Sequence, residues 1–256
     1  MDPFLYVDSF TQLCQTSTRV CELRAAFQRN LENLGFRYFA CSSHVDPLNP
    51  RHAVMLLNYP RDWVECYSEE KWHLIDPVFH RADRSRLSFF WDDPAFHAPM
   101  TRAQRRMQRH ARKFGLVNGF TVPLHGPLSS SSCSVIPDSP KIDPRNYLVV
   151  ELMAARLYSR TAQLQQVDEL PTDIPILNRR ERQCLTLAGQ GKGDIEMAVI
   201  LGLKKSTTHN YVEGAKKRLG LRHRTPAVLY AVGSRQIRLE DILRPLHRVV
   251  RRRKSG

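Results

Sequence analysis

The feature that most constrains this chain is a stretch that cannot fold with its neighbours: DELPTDIP, Asp168 to Pro175. Two prolines and three acids leave it little to bury and a backbone that cannot run on as helix. A chain interrupted there must build two cores, and 256 residues are enough for both. The expected organisation is a first domain over 1–167, a linker over 168–175 and a smaller second domain over 176–237. A basic tail follows over 238–256. Charge divides at the same place. Residues 1–166 hold 20 basic and 16 acidic side chains, whereas residues 167–256 hold 19 against 9. Most of the net charge of +14 therefore sits in the last third, which predicts an anionic partner there, nucleic acid or acidic lipid.

Several function classes are excluded early. The six cysteines (Cys14, Cys21, Cys41, Cys66, Cys133, Cys184) form no CxxC pair and no metal-ligand spacing, so reduced thiols in a cytoplasm and no metal are expected. The start, MDPFLYVDSF, lacks the basic region of a signal peptide. No run of 18 apolar residues occurs, and no membrane partner is expected. HExxH, GxSxG and phosphate-cradling glycine loops are all missing, so neither catalytic residues nor a cofactor are expected.

In the first domain an amphipathic start, FTQLCQTSTRVCELRAAFQRNLENLGF, carries apolar residues at Leu23, Phe27, Leu31 and Leu34. RYFACSS and HAVMLL follow as strands, TRAQRRMQRHARKFG as a helix stopped by Gly115, and GFTVPLHG and SSCSVIP as two more strands. A long helix, YLVVELMAARLYSRTAQLQQV, closes the domain. Strands flanked by helices on both sides predict an α/β/α sandwich with room for a small molecule.

Within it, NYPRDWVECYSEEKWHLIDPV places Tyr59, Trp63 and Tyr67 at steps of four, with Trp63 and Tyr67 on one face of a helix starting near Pro60. Asp76 precedes Pro77, which pushes it into extended backbone. Such residues are either an aromatic core face with a turn aspartate, or a polar-handled wall beside one fixed carboxylate.

The second domain is predicted to be all-α, with four short helices: RRERQCLTLAGQG, IEMAVILG, STTHNYVEGAKKRLG and PAVLYAVGSRQI. Asn178 and Glu181 have capping-box spacing, Asp194 is placed to cap the second helix, and Thr225 with Pro226 to start the fourth. Little more than Gly202 and Leu203 separates helices two and three, the pattern of a helix-turn-helix. On the third helix Thr208, Val212, Ala215 and Leu219 form the apolar stripe. Lys205, His209, Asn210, Glu213, Lys216 and Lys217 then face outward as candidate DNA contacts, joined by Lys204 and Thr207 at the helix start. Asparagine can pair with adenine, glutamate can accept from cytosine, and lysines can neutralise phosphates.

These residues carry a resemblance. Leu177, Glu181, Leu185 and Gly191, with Glu196, Ala198, Leu201, Leu203 and Thr207, resemble the DNA-binding module of LuxR-type regulators. The module departs from that pattern at Lys204, Thr208 and Tyr211. Upstream, Trp63, Tyr67, Asp76, Pro77, Trp91 and Gly119 match, in order, the residues of the acyl-homoserine-lactone domain of LuxR-type quorum-sensing regulators. The resemblance implies an N-acyl-homoserine lactone as signal ligand, a homodimer on an inverted-repeat operator of double-stranded DNA, and leaves RNA polymerase open as a further contact.

Each polar atom of such a ligand needs a partner. Asp76 can accept from its amide N–H, Trp63 can donate to the lactone carbonyl and Tyr67 to the amide carbonyl. Trp91 supplies a ring wall, and Gly119 a close backbone approach. Tyr59 and Ser132 are further polar candidates, with Ser134 in place of Ser132 if the strand slides. Phe39, Cys41, Met55, Leu57, Val78, Phe89 and Phe96 are wall candidates that serve equally as core.

The long helix offers Leu148, Leu152, Ala155 and Tyr158 as a dimer face. The tail, with its final RRRK, is expected to touch phosphates if it touches DNA at all. Three rivals are a lactone hydrolase using Asp76, a response regulator, and a regulator of this architecture that answers another amphiphile or none.

Overall fold

The computed structural model describes residues 2–50, 53–125, 130–167 and 175–243. The expected linker, apart from Pro175, and the tail from residue 244 onward lie outside these residues. The chain divides into two compact units, Met1–Glu169 and Leu170–Gly256.

The first unit contains helices α1 (Phe4–Thr16), α2 (Val20–Asn33), α3 (Arg61–Glu69), α4 (Pro77–Ala82), α5 (Pro94–His97), α6 (Arg102–Lys113) and α7 (Pro144–Gln165). A 3-10 turn spans Trp72–Leu74. Its strands β1 (Phe36–Ser43), β2 (Met55–Leu57), β3 (Phe89–Phe90), β4 (Phe120–His125) and β5 (Ser130–Pro137) form one antiparallel sheet in the order β2-β1-β5-β4-β3.

The period of two along each strand sorts side chains between the faces. Phe39 and Cys41 of β1, Val122 of β4 and Val135 of β5 join Phe10, Phe27, Met153 and Leu157 in the core under α1, α2 and α7. The opposite face meets a second core of Trp63, Trp72, Met107 and Ile136. The expected α/β/α sandwich is the observed one.

Aspartate followed by proline starts three of these helices. Asp76, Asp93 and Asp143 cap α4, α5 and α7, each accepting from the N–H two residues on, with proline in the first helical position. α6 starts on a capping box between Thr101 and Gln104. The amphipathic start is two helices rather than one. Ser17 breaks it, donating to the Glu22 carboxylate at 2.8 Å while its carbonyl accepts from Arg160 at 2.8 Å.

On α7, Leu148 and Leu152 are about half exposed. Tyr158 does not belong with them. It is buried, and its hydroxyl accepts from Ser131 at 2.8 Å, because one more turn carries this position back over the sheet.

The second unit has four helices, α8 (Arg179–Gly189), α9 (Asp194–Leu201), α10 (Lys205–Arg218) and α11 (Arg224–Gly233), around Leu177, Leu185, Met197, Val212, Ala215 and Ala231. Two expected caps are corrected. Gly193, not Asp194, caps α9, with the Glu196 carboxylate accepting from the Gly193 N–H at 2.9 Å. α11 begins at Arg224, two residues before Pro226. Gly202 ends α9 at φ +64°, a left-handed conformation that suits glycine, and α10 begins three residues later.

Residues 239–243 are helical, and Ile242 enters the core of this unit. The side-chain amide of Gln190 donates to the Asp241 carbonyl at 2.7 Å. A Cβ on Gly189 would stand 2.7 Å from Ile242. The packed structure therefore continues beyond Ile237, where the sequence alone suggested a tail.

Candidate functional site

On the far face of the sheet from α7, a cavity of about 220 Å³ opens between β1, β5 and helices α3, α4 and α6. The strands direct alternate residues into it, Ala40 and Ser42 from β1 and Ser132 and Ser134 from β5. Both serines proposed for this position line the wall, since they are two residues apart on one face. Tyr59, Trp63, Tyr67, Asp76, Pro77, Val78 and Trp91 line it as expected, together with Met55 and Leu57.

Phe96 does not line it: the side chain packs on Phe89, ring centroids 5.6 Å apart, in a small core with Val78, Ala82 and Met100. Phe89, Phe39 and Cys41 are likewise core residues, the last two on the other sheet face.

Asp76 is the one carboxylate of the wall that is fully buried, because capping α4 holds it at the base of the cavity. It accepts from the Val78 N–H at 2.7 Å and from the Tyr67 hydroxyl at 2.8 Å. Burial pushes its pKa up to about 6, although the Tyr67, Val78 and Phe79 hydrogen bonds and His80 pull the other way. Burial, then the Asp76 charge, pushes the Tyr59 and Tyr67 hydroxyls well up, so both remain protonated donors.

A hydroxyl has one hydrogen, and Tyr67 already gives its own to Asp76. The Tyr59 hydroxyl, by contrast, has no acceptor among the described residues. Trp63 packs at a tilt against Trp72, centroids 5.3 Å apart, stacks on His110 at 6.2 Å and lies next to Phe114. Trp72 went unremarked in the sequence, although it stands nine residues after Trp63 in a segment already read as aromatic.

Trp91 is fixed by its indole N–H, which donates to Thr121 at 2.8 Å, and Thr121 in turn meets Ser134 at 2.9 Å. Gly119 does not line the cavity; the close approach it allows is that of this indole. A Cβ on Gly119 would lie 2.5 to 2.8 Å from three atoms of the Trp91 ring. Gly119→Ala should therefore displace Trp91 and lower stability by about 1–3 kcal/mol, the range for overpacking. Thermal unfolding and signal titration check this, and an unshifted midpoint would contradict it.

In the second unit α10 exposes Lys205, His209, Asn210, Glu213 and Lys217, with Lys204 exposed at its N-cap and Thr207 half-buried. Lys216 is half-buried and donates to Glu213 at 2.7 and 2.9 Å, and His209 meets Asp194 at 3.0 Å. Thr208 is buried, its hydroxyl donating to the Asp194 carbonyl at 2.9 Å, which ties α10 to the start of α9.

Glu181 joins α8 to α10. It accepts from the Asn178 N–H at 2.7 Å and from Arg218 at 3.2 Å while 3% exposed. Lys204 occupies the N-cap of α10 with φ −84° and ψ 151° and offers no side-chain cap. Lys204→Ser should raise the stability of this unit by about 1 kcal/mol while weakening DNA binding. Urea unfolding and a DNA titration at one salt concentration test both halves.

Comparison with known proteins finds a match for each unit. Residues 20–165 match the model of the autoinducer binding domain, and residues 175–231 match that of the luxR family of bacterial regulatory proteins. The chain belongs to this family of quorum-sensing transcriptional regulators, which act through DNA and a signal ligand and are not enzymes.

The HTH-type transcriptional regulator y4qH of Sinorhizobium fredii is 29% identical over 181 residues, 69% of this chain and 55% of that protein. The quorum sensing-dependent regulator RpaR of Rhodopseudomonas palustris is 30% identical over 181 residues, 71% of this chain and 74% of its own. SdiA of Escherichia coli, solved with octanoyl-rac-glycerol, shares the fold at a TM-score of 0.57 and 22% identity, over 91% of this chain and 96% of that one. Among the described residues no helix is long and apolar enough to cross a membrane.

Proposed function

We propose that the first unit binds an N-acyl-homoserine lactone and that the protein, as a homodimer in the cytoplasm, binds an inverted-repeat operator through α10. The observation that carries this is the buried Asp76 carboxylate at the wall of a mostly apolar cavity. The same cavity is lined by two donors, the Trp63 indole and the Tyr59 hydroxyl, with no hydrogen-bond partner among the described residues. One acceptor between two donors complements one amide N–H between two carbonyls. Met55, Leu57, Val78 and Leu116 give the acyl chain an apolar lining.

On the DNA side, we assign Asn210 and Glu213 to base edges and Lys204, Lys205 and Lys217 to phosphates. Leu148, Leu152 and Ala155 on α7 are the proposed subunit contact, and RNA polymerase is a further proposed partner. A second reading, a different amphiphile as ligand, is favoured by the octanoylglycerol held by SdiA. Mass spectrometry of small molecules extracted from the purified protein separates the two. A homoserine lactone supports the first reading, a glyceride or fatty acid the second. Sedimentation tests the dimer: monomers both with and without signal at micromolar concentration would overturn it.

A further inference from the structure

Three side chains that the clamp does not use form a chain ending at the cavity wall. His44 stands just beyond β1, stacked on Phe79 of α4 with ring centroids 4.0 Å apart and planes at 11°. Its Nδ1 meets the Asp83 carboxylate at 2.7 Å and its Nε2 meets the Ser132 hydroxyl at 2.9 Å. The imidazole is nearly enclosed, with 7% of its side chain exposed, and both Phe79 and Ser132 line the cavity.

Hydrogen-bond chemistry fixes the direction of this chain. A carboxylate only accepts, so His44 donates from Nδ1 to Asp83. In a neutral ring Nε2 is then the acceptor, and Ser132 must donate its only hydrogen to it. What remains on Ser132 Oγ is lone pairs. We infer that Ser132, held by His44 and Asp83, is an obligate hydrogen-bond acceptor in the cavity and selects acyl-homoserine lactones whose acyl chain carries a hydroxyl over those carrying a keto oxygen. This rests on the lactone reading above and names the class of chain that the site takes. A hydroxyl can donate to the free lone pair, whereas a keto oxygen would face it acceptor to acceptor.

The groups around His44 keep the ring neutral near pH 7. Burial lowers its pKa most, His125 and His80 add to that, and Asp83 opposes them. When pH falls far enough to protonate the ring, both nitrogens donate. Ser132 is then released to donate into the cavity, and the preference moves toward the keto form.

The test measures affinities of the full-length protein for matched sets of homoserine lactones, unsubstituted, 3-hydroxy and 3-oxo, at several chain lengths. At pH 8 the hydroxy compound should bind about tenfold more tightly than its keto partner, the worth of about one hydrogen bond. Lowering the pH should shrink that ratio. Asp76, with its pKa of about 6, also titrates on acidification, but both ligands present it with the same head group, so its effect cancels. Ser132→Ala and His44→Phe should each bring the ratio to within twofold.

The wild-type pH series stands even if a variant fails to fold. Equal affinities for hydroxy and keto compounds, with the unsubstituted lactone bound, would overturn this inference and leave the proposed function intact. A ratio that does not change with pH would also overturn it. No binding of any lactone would overturn both.

Discussion

Asp76→Asn should weaken signal binding at least tenfold while leaving the fold in place. The amide oxygen can still accept from the Val78 N–H, and the Tyr67 hydroxyl can turn to accept from the new NH2, so the cap of α4 survives. The ligand amide N–H, however, meets a donor in place of a carboxylate. A buried donor left unpaired costs about 1–3 kcal/mol, more when the lost partner is charged, so affinity should fall at least tenfold to a hundredfold. A titration that finds affinity within twofold of wild type would remove Asp76 from the clamp.

The same residue predicts opposite responses of binding and stability to acid. Its pKa of about 6 in the folded protein lies above the ordinary carboxylate value of 3.8. Between those values the folded state holds the proton and the unfolded state does not, so protonating Asp76 stabilises the fold as pH falls. The size of that contribution is about 3 kcal/mol. In the proposed clamp signal binding needs the carboxylate, so it should weaken across the same range. Unfolding curves of wild type and Asp76→Asn between pH 4 and 7 should therefore differ in slope, the wild type gaining more on acidification.

Glu181→Ala should unfold the second unit more readily by about 2–4 kcal/mol, and operator binding should fail with it. The substitution removes the acceptor from the Asn178 N–H at the start of α8 and the carboxylate partner of Arg218 at the end of α10. Glu181→Gln keeps the shape and one acceptor and should cost less than half as much. If alanine and glutamine are equally harmless in urea unfolding, the contact between α8 and α10 rests on the apolar core alone.

How much of this was legible in the sequence varies residue by residue. Trp63, Tyr67 and Asp76 were legible because one short segment holds them, and the proline after Asp76 fixes its backbone whatever the rest of the fold does. The same Asp-Pro signal at 93 and 143 marked two further helix starts, and only the one at 76 was used. His44 and Asp83 were not legible, since they meet across 39 positions and a lone histidine beside a strand has no pattern of its own.

Phe96 was misplaced because a phenylalanine offers the same chemistry to a cavity wall and to a core. The Tyr67–Asp76 hydrogen bond was not legible for another reason. A sequence can show that a hydroxyl is available, but not that a neighbour has already taken its hydrogen. The glycine turn before α10 and the Glu181 capping box, both local in sequence, were found where they were expected.

The insertion of Ile242 between Gly189 and Val228 has a practical consequence for anyone treating the second unit as a transplantable cassette. A chimaera that joins this DNA-binding part to a foreign sensor and stops at residue 237 would carry an open apolar slot on α8 and a stranded Gln190 amide. Its weak output would then be misattributed to the junction. Extending the same chimaera to residue 243 restores the plug, and a comparison of the two endpoints under one promoter would separate poor coupling from poor folding.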